Sequence, residues 1–208
     1  MLPAAARIIR WQRKHGRNEL PWQGAGAYQV WISEIMLQQT QVATVIPYFQ
    51  RFIQRFPNLE LLAAAEEAEV LALWSGLGYY ARGRNLHRAA RLLVEQHRGE
   101  FPSDFNSIAT LPGIGRTTAA AICALAFNQR HAILDGNVRR VLARYKGIKG
   151  NVRSSEIESE LWDWAEALMP DRDAARYTQG MMDLGALICT RSRPACMACP
   201  LRSDCVAL

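Results

Sequence analysis

The stretch 111–122, LPGIGRTTAAAI, decides how this chain is read. Two glycines, Gly113 and Gly115, flank one apolar residue, and an alanine-rich run follows at once. That pattern makes a tight turn feeding the N-terminus of a helix. The first N–H groups of a helix have no partner within it, and the helix dipole favours negative charge there. Such a turn can hold a phosphate oxygen on its backbone, although a turn that only caps a helix spells the same letters. Threonines, Thr117 and Thr118, occupy the first helical positions where a lysine could have stood.

Outward from this turn, apolar residues recur at helical spacing almost everywhere. Tyr28, Trp31, Ile32 and Ile35 form one stripe, and Val45, Phe49, Phe52, Ile53 and Phe56 a second, in a helix that Pro47 starts or kinks. Val70, Leu73 and Trp74 make a third, and Leu86, Ala89, Ala90 and Leu93 a fourth. Ile157, Leu161, Trp164 and Leu168 follow Ser155-x-x-Glu158, which reads as a capping box. Tyr177, Met181, Leu184 and Ile188 make the last stripe. No strand alternation interrupts them, so the expected fold class is all-α, with about ten short helices. At 208 residues the chain holds one large domain or two small ones packed closely.

The net charge is +6, which alone says little about partners. Its placement says more. Arg82, Arg84 and Arg88 cluster after Gly76-Leu77-Gly78, Arg139, Arg140, Arg144, Lys146 and Lys149 follow Asp135-Gly136-Asn137, and Arg191 and Arg193 lie between cysteines. Cations gathered beside turns point to phosphate contacts, although each cluster alone also fits a solvated surface. The apolar runs are too short to span a bilayer, and the start, MLPAAARIIRWQRKHGR, reads as an amphipathic helix rather than a signal peptide. A cytoplasmic protein, nucleoid-associated in a bacterium, with no membrane partner is expected.

Four of the five cysteines close the chain as Cys189-x6-Cys196-x2-Cys199-x5-Cys205. Four thiolates so near in sequence can surround one metal centre without help from the rest of the fold. Disulfides do not suit a chain without a secretory signal. Zinc also takes four cysteines, usually from two short C-x2-C knuckles, and only the inner pair is that close here. The wide outer spacings favour a [4Fe–4S] cluster over zinc. Cys123, inside the alanine-rich run, reads as a buried small hydrophobe.

Taken together, the glycine hairpin, the Asp-Gly-Asn that follows and the cysteine loop resemble the helix-hairpin-helix DNA glycosylases, the superfamily of endonuclease III. Longer stretches narrow the resemblance: LPW (20–22), VWISEIMLQQTQVATVIPYF (30–49), LWSGLGYYARGRNLH (73–87), ILDGNVRRVLAR (133–144) and MMDLGALICTRSRPAC (181–196) are similar to the catalytic part of MutY-type adenine DNA glycosylases. The resemblance implies two helical lobes: a six-helix barrel at residues 18–129, and a cluster lobe at 1–17 and 130–208. It implies a monomer acting on double-stranded DNA, with a mispaired adenine flipped out of the stack.

The same resemblance implies the chemistry. Glu34 would protonate adenine N7 and then deprotonate the attacking water, which needs a raised pKa. Glu34, Gln38 and Gln41, at i, i+4 and i+7, read as a polar stripe on one helix. Asp135 would stabilise the oxocarbenium ion, its pKa held low by helix-terminal N–H groups, with Asn137 helping to hold the carboxylates and water. Gly113 and Gly115 would approach a phosphate, with a monovalent cation on the hairpin carbonyls. Gln38, Gln39 and Thr40 resemble residues that contact the base opposite adenine, and Tyr79 an aromatic wedge. Trp22, Gln23 and Gln179 would line the adenine pocket, and Arg191 and Arg193 would touch DNA from the cysteine loop. Thr117 stands where strand-cutting relatives carry a lysine that forms a Schiff base. The expected enzyme is therefore monofunctional and leaves an abasic site. Arg139 stands where many adenine glycosylases have lysine, which removes another imine former.

Longer family members continue into a Nudix-like domain that reads 8-oxoguanine, whereas this sequence ends three residues after Cys205. The expectation is a catalytic-core piece or a short form that keeps adenine removal, with weakened discrimination for 8-oxoguanine over guanine. Two other readings stand beside it: a mismatch-specific thymine or uracil glycosylase of the same superfamily, and a non-catalytic iron–sulfur DNA-binding protein.

Overall fold

In the computed structural model, residues 2–151 and 154–208 are described, and they hold eleven α-helices and no strand. The all-α expectation holds among them. The chain divides into two compact units, one of residues 19–127 and one of residues 1–18 with 128–208.

The 19–127 unit is built around α2 (Ala27–Leu37). Besides the four residues of its predicted stripe, Val30, Ser33 and Met36 are also buried, so this helix is covered on nearly every side. One wall is α8 (Arg116–Phe127), whose Ala119, Ala120, Ala121 and Ala124 are buried and short enough for two backbones to approach closely. Cys123 is fully buried there, and desolvation pushes its thiol up to about 11. The other walls are α3 (Val42–Arg55) and α6 (Ala81–His97), with α5 (Glu67–Trp74) packed on both and α4 (Leu59–Ala64) on α6. Phe52 stands at their junction, edge-to-face with both Phe56 and Trp74. Pro47 lies inside α3 rather than at its start.

The other unit packs α1 (Ala4–His15) on α11 (Ala174–Asp183). The close approach requires Gly180, where a Cβ would come within 2.8 Å of Ile8 Cγ2 and 3.1 Å of Gln12 Cβ. Below them Asp183, fully buried, accepts bonds from the Arg17 backbone N–H (2.8 Å), Arg17 Nε (2.6 Å) and Gln179 Nε2 (2.9 Å). α9 (Gly136–Lys146) and α10 (Ser155–Leu168) complete the unit. The expected capping box at Ser155 does not form. Ser154 is the N-cap residue and makes no side-chain cap bond, and Glu158 instead accepts from Arg139 Nη2 at 2.9 Å.

The last predicted stripe, Tyr177 to Ile188, is α-helical only to Asp183 and then widens into a π-helical turn at Leu184–Ile188. Its closing bond runs from Cys189 N–H to the Leu184 carbonyl at 2.7 Å. The extra residue in that turn breaks the 3.6-residue register, leaving Leu187 exposed and handing the chain to the cysteine loop.

Candidate functional site

In the unit of residues 1–18 and 128–208, the helix that starts within the Asp-Gly-Asn motif organises the candidate residues. Asp135 is the N-cap of α9, and its Oδ1 accepts the Val138 N–H at 2.7 Å. Cap and dipole alone would hold this carboxyl low, which was the expectation. It lies high instead. The residue is only partly covered from solvent, yet it is set deep enough among protein atoms for desolvation to push the carboxyl above its ordinary range. That outweighs the Val138 and Asn137 N–H groups, the charge of Arg140 and the Asn137 side chain, all of which pull it down.

Asn137 is fixed from both sides. Arg140 Nη2 donates to its Oδ1 at 2.7 Å and to the Gly185 carbonyl at 2.7 Å, while Arg140 Nε donates to the Cys189 carbonyl at 2.7 Å. With Oδ1 committed to Arg140, the Asn137 amide is left to donate to Asp135. Gly185 lies against the same residue, and a Cβ there would sit 2.5 Å from Asn137 Cβ. Gly185 did not stand out in the sequence, and Arg140 stood out only as one of the cations expected at phosphates, whereas its guanidinium is bonded within the protein. The signal was the spacing of Gly136, Arg140 and Arg144 down one face of α9.

One turn further along, Arg144 Nη1 donates to the Thr190 carbonyl at 2.7 Å and lies 3.5 Å from Cys189 Sγ, and its Nη2 donates to the Arg191 carbonyl at 2.9 Å. Arg7 holds the other end of the loop through Asp204 and the Pro200 carbonyl. Cys189, Cys196, Cys199 and Cys205 are all free thiols and line one cavity of about 190 Å³, together with Arg144, Ile188 and Arg202. Burial, followed by the other three cysteines, raises the Cys199 thiol above its ordinary range. Among the described residues, no three His, Cys, Asp or Glu side chains converge as tightly as one bare ion requires. The Arg191 and Arg193 side chains are exposed on this loop while their carbonyls are bonded, to Arg144 and to Thr190 Oγ1. Gln179 is buried on α11 against Asp183.

In the 19–127 unit, the glycine turn joins α7 (Phe105–Thr110) to α8. Gly113 has φ +81°, a left-handed conformation that glycine adopts without strain. At Gly115 a Cβ would meet nothing within 4 Å, so the backbone at the start of α8 is open to a ligand. Thr117 is half-buried in the first turn of that helix. Gln38 ties the turn to the end of α2, its Nε2 donating to the Gly113 carbonyl (3.3 Å) and to Thr118 Oγ1 (3.2 Å).

Glu34 lies in the last turn of α2 and is partly exposed. The helical stripe expected for Glu34, Gln38 and Gln41 does not exist. α2 ends at Leu37, the chain turns through a left-handed Gln39 (φ 59°), and Gln41 is the N-cap residue of α3. Tyr79 is also left-handed (φ 50°) and 60 % exposed. Trp22 is 3 % exposed and packs edge-to-face on Phe49, and Gln23 Oε1 accepts the Leu20 N–H. Arg82, grouped in the sequence with surface cations, is buried, whereas Arg84 and Arg88 are exposed.

Residues 32–167 match the profile of the HhH-GPD superfamily base excision DNA repair protein. The chain is 48 % identical over 201 residues to the adenine DNA glycosylase of Buchnera aphidicola subsp. Acyrthosiphon pisum, covering 96 % of this chain and 57 % of that one. A thermostable thymine-DNA glycosylase superposes with a TM-score of 0.87 at 27 % identity, over 98 % of this chain and 94 % of that one. A non-covalent endonuclease III–DNA complex gives 0.81 at 21 % identity, over 100 % and 97 %, a likeness of fold. The chain spans 57 %, 58 % and 56 % of the length of the three Buchnera aphidicola adenine DNA glycosylases it matches.

Proposed function

The chain belongs to the HhH-GPD superfamily of base excision DNA repair proteins, and from that premise we propose that it hydrolyses the N-glycosidic bond of adenine mispaired with 8-oxoguanine or guanine in double-stranded DNA. The observation that carries the substrate is the 48 % identity to an adenine DNA glycosylase along 96 % of this chain.

In the reaction, Glu34 gives its proton to adenine N7 as the C1′–N9 bond breaks. Asp135 then faces the sugar cation as a carboxylate. A desolvated carboxylate attracts a cation more strongly than a solvated one, so the burial that raises the Asp135 pKa also strengthens its effect. Glu34, now ionised, takes a proton from water, and the hydroxyl adds to C1′, leaving an abasic site with Glu34 protonated again. Asn137, its orientation set by Arg140, holds Asp135 in place. Gly113 and Gly115 bring the hairpin backbone to a phosphate, and the hairpin carbonyls would hold a monovalent cation. Gln39, Thr40 and Tyr79 meet the duplex, and Gln38 serves by bracing the hairpin. Trp22, Gln23 and Gln179 act as supports of the adenine pocket. With a threonine at position 117 no imine forms, so the strand stays intact.

The four cysteines suit a [4Fe–4S] cluster, which when bound cross-links the loop. A cavity of about 190 Å³ is far larger than one ion needs, given about 30 Å³ for a whole water molecule. Arg191 and Arg193 are then presented to DNA on a braced loop. None of the described helices is long and apolar enough to cross a membrane. The proposed setting is the cytoplasm, with the protein on DNA as a monomer.

A second reading has one observation in its favour, the superposition on a thymine-DNA glycosylase. Single-turnover excision on duplexes with A opposite 8-oxoguanine, A opposite G, T opposite G and U opposite G decides between them. The expected result is loss of adenine, seen as a strand break only after alkali. Excision of T or U alone would replace the substrate, and cutting without alkali would overturn the role given to Thr117.

A further inference from the structure

Two loops of the 19–127 unit, 38–40 and 76–79, carry exposed residues that the proposed function places against DNA. One buried cation holds both. Arg82, in the first turn of α6, is 9 % exposed. Its Nη1 donates to the carbonyls of Ile35 (3.1 Å), Met36 (2.9 Å) and Gln38. Its Nη2 donates to the carbonyls of Leu77 (3.2 Å) and Gly78 (3.2 Å) and to Thr40 Oγ1 (3.2 Å). The guanidinium also lies 5.4 Å from the centre of the Tyr79 ring and 5.6 Å from that of Trp74.

The acceptors come from two stretches far apart in sequence, the end of α2 with the loop after it and the turn before α6. Next to each set of acceptors stands a non-glycine residue in the left-handed region, Gln39 at φ 59° and Tyr79 at φ 50°. Such conformations persist where the surroundings over-determine them, and they gather at functional sites. Burying a charge is costly, and main-chain carbonyls rather than a single carboxylate offset the cost here. A pair that served only to neutralise charge would not draw carbonyls from both loops onto one fork. Lysine, with three donors and no planar fork, could not reach the same set.

We propose that Arg82 is a positioning residue that locks Gln39 and Tyr79 into a single rigid reading element, so that both meet the duplex at one fixed spacing. This rests on the reading that the two residues contact DNA. Held this way, the loops are ordered before binding. Without the clamp each would have to be ordered separately on the lesion.

Arg82→Lys in the full chain tests it, first without DNA. Hydrogen exchange should rise about tenfold at amides of both 38–41 and 76–80, with α9 and α10 unchanged. A rise in one stretch alone, or in neither, overturns the clamp. Single-turnover excision at saturating duplex should then fall about 10- to 100-fold, while affinity for undamaged duplex stays within about threefold. An equal fall in both would make Arg82 a general support of the fold or of DNA binding. A merely structural role would also leave the two loops uncoupled. Gln39→Ala and Tyr79→Ala should therefore be non-additive in lesion discrimination with Arg82 present and additive with Lys in its place; additivity in both backgrounds refutes the proposal. Should Arg82→Lys not fold, Thr40→Val removes one acceptor and keeps the guanidinium. It should loosen 38–41, and unchanged exchange there refutes the clamp. Wild-type protein that excises no base from any duplex would sink the functional reading, while the exchange comparison still judges the clamp.

Discussion

Gly185→Ala tests whether the site is held as tightly as its geometry implies. A Cβ on Gly185 would lie 2.5 Å from Asn137 Cβ and 3.0 Å from both its Cα and its carbonyl carbon. Carbon atoms in good contact stand about 3.5–4.0 Å apart, so the overlap is about 1 Å and falls largely on main chain. Neither side yields easily. Asn137 is in the first turn of α9 and is bonded to Arg140, whose other bonds go to the carbonyls of Gly136, Gly185 and Cys189. Overpacking of this kind costs about 1–3 kcal/mol, and a main-chain clash belongs at the upper end. At about 3 kcal/mol a chain of this size loses about 6–12 °C in Tm. If instead the strain is relieved by moving Asn137 by about 1 Å, excision should fall about 100-fold. Thermal melting and single-turnover excision of A opposite 8-oxoguanine read the two outcomes. Gly136→Ala is the control, since a Cβ there meets nothing within 4 Å. A Gly185→Ala protein that matched the control in both assays would refute the reasoning.

Asp135→Asn keeps the helix cap and removes the charge. Because the folded carboxyl titrates above the unfolded value of 3.8, ionising it opposes folding, with the full cost present above the folded pKa and none below 3.8. The variant should lose excision yet be more stable than wild type at neutral pH, with the advantage fading as pH falls towards 3.8; a stability difference independent of pH would contradict this. Asp183→Asn takes the charge from a fully buried carboxylate and should cost about 3 kcal/mol in urea unfolding, the lower end for a broken buried pair because the Arg17 side chain keeps 25 % exposure. Cys199→Ser should abolish the broad absorption at about 400 nm expected of an iron–sulfur protein; a colourless wild type that carries zinc would remove the cluster from the account.

The hairpin was legible because its signal is local. Gly113 at φ +81° is a conformation whose cost depends on one residue, and LPGIG spells it directly. Helical stripes are equally local, since i, i+3 and i+4 neighbours meet whatever else the chain does. The four cysteines fall within one short segment, so their candidacy as a set was legible, although Arg144 and Arg7 from distant helices brace the loop that carries them. Three features needed the whole fold. Arg82 looked like one more surface cation, and only the return of two distant loops makes it a buried centre of carbonyls. The polar stripe through Glu34 failed because α2 stops at Leu37, where the chain turns through Gln39 beside that centre. Asp135 was expected low on the strength of its cap and lies high because desolvation counts every atom packed around it. Local geometry reaches a few residues along the chain, whereas burial and the meeting of remote backbone dipoles exist only once the chain has folded.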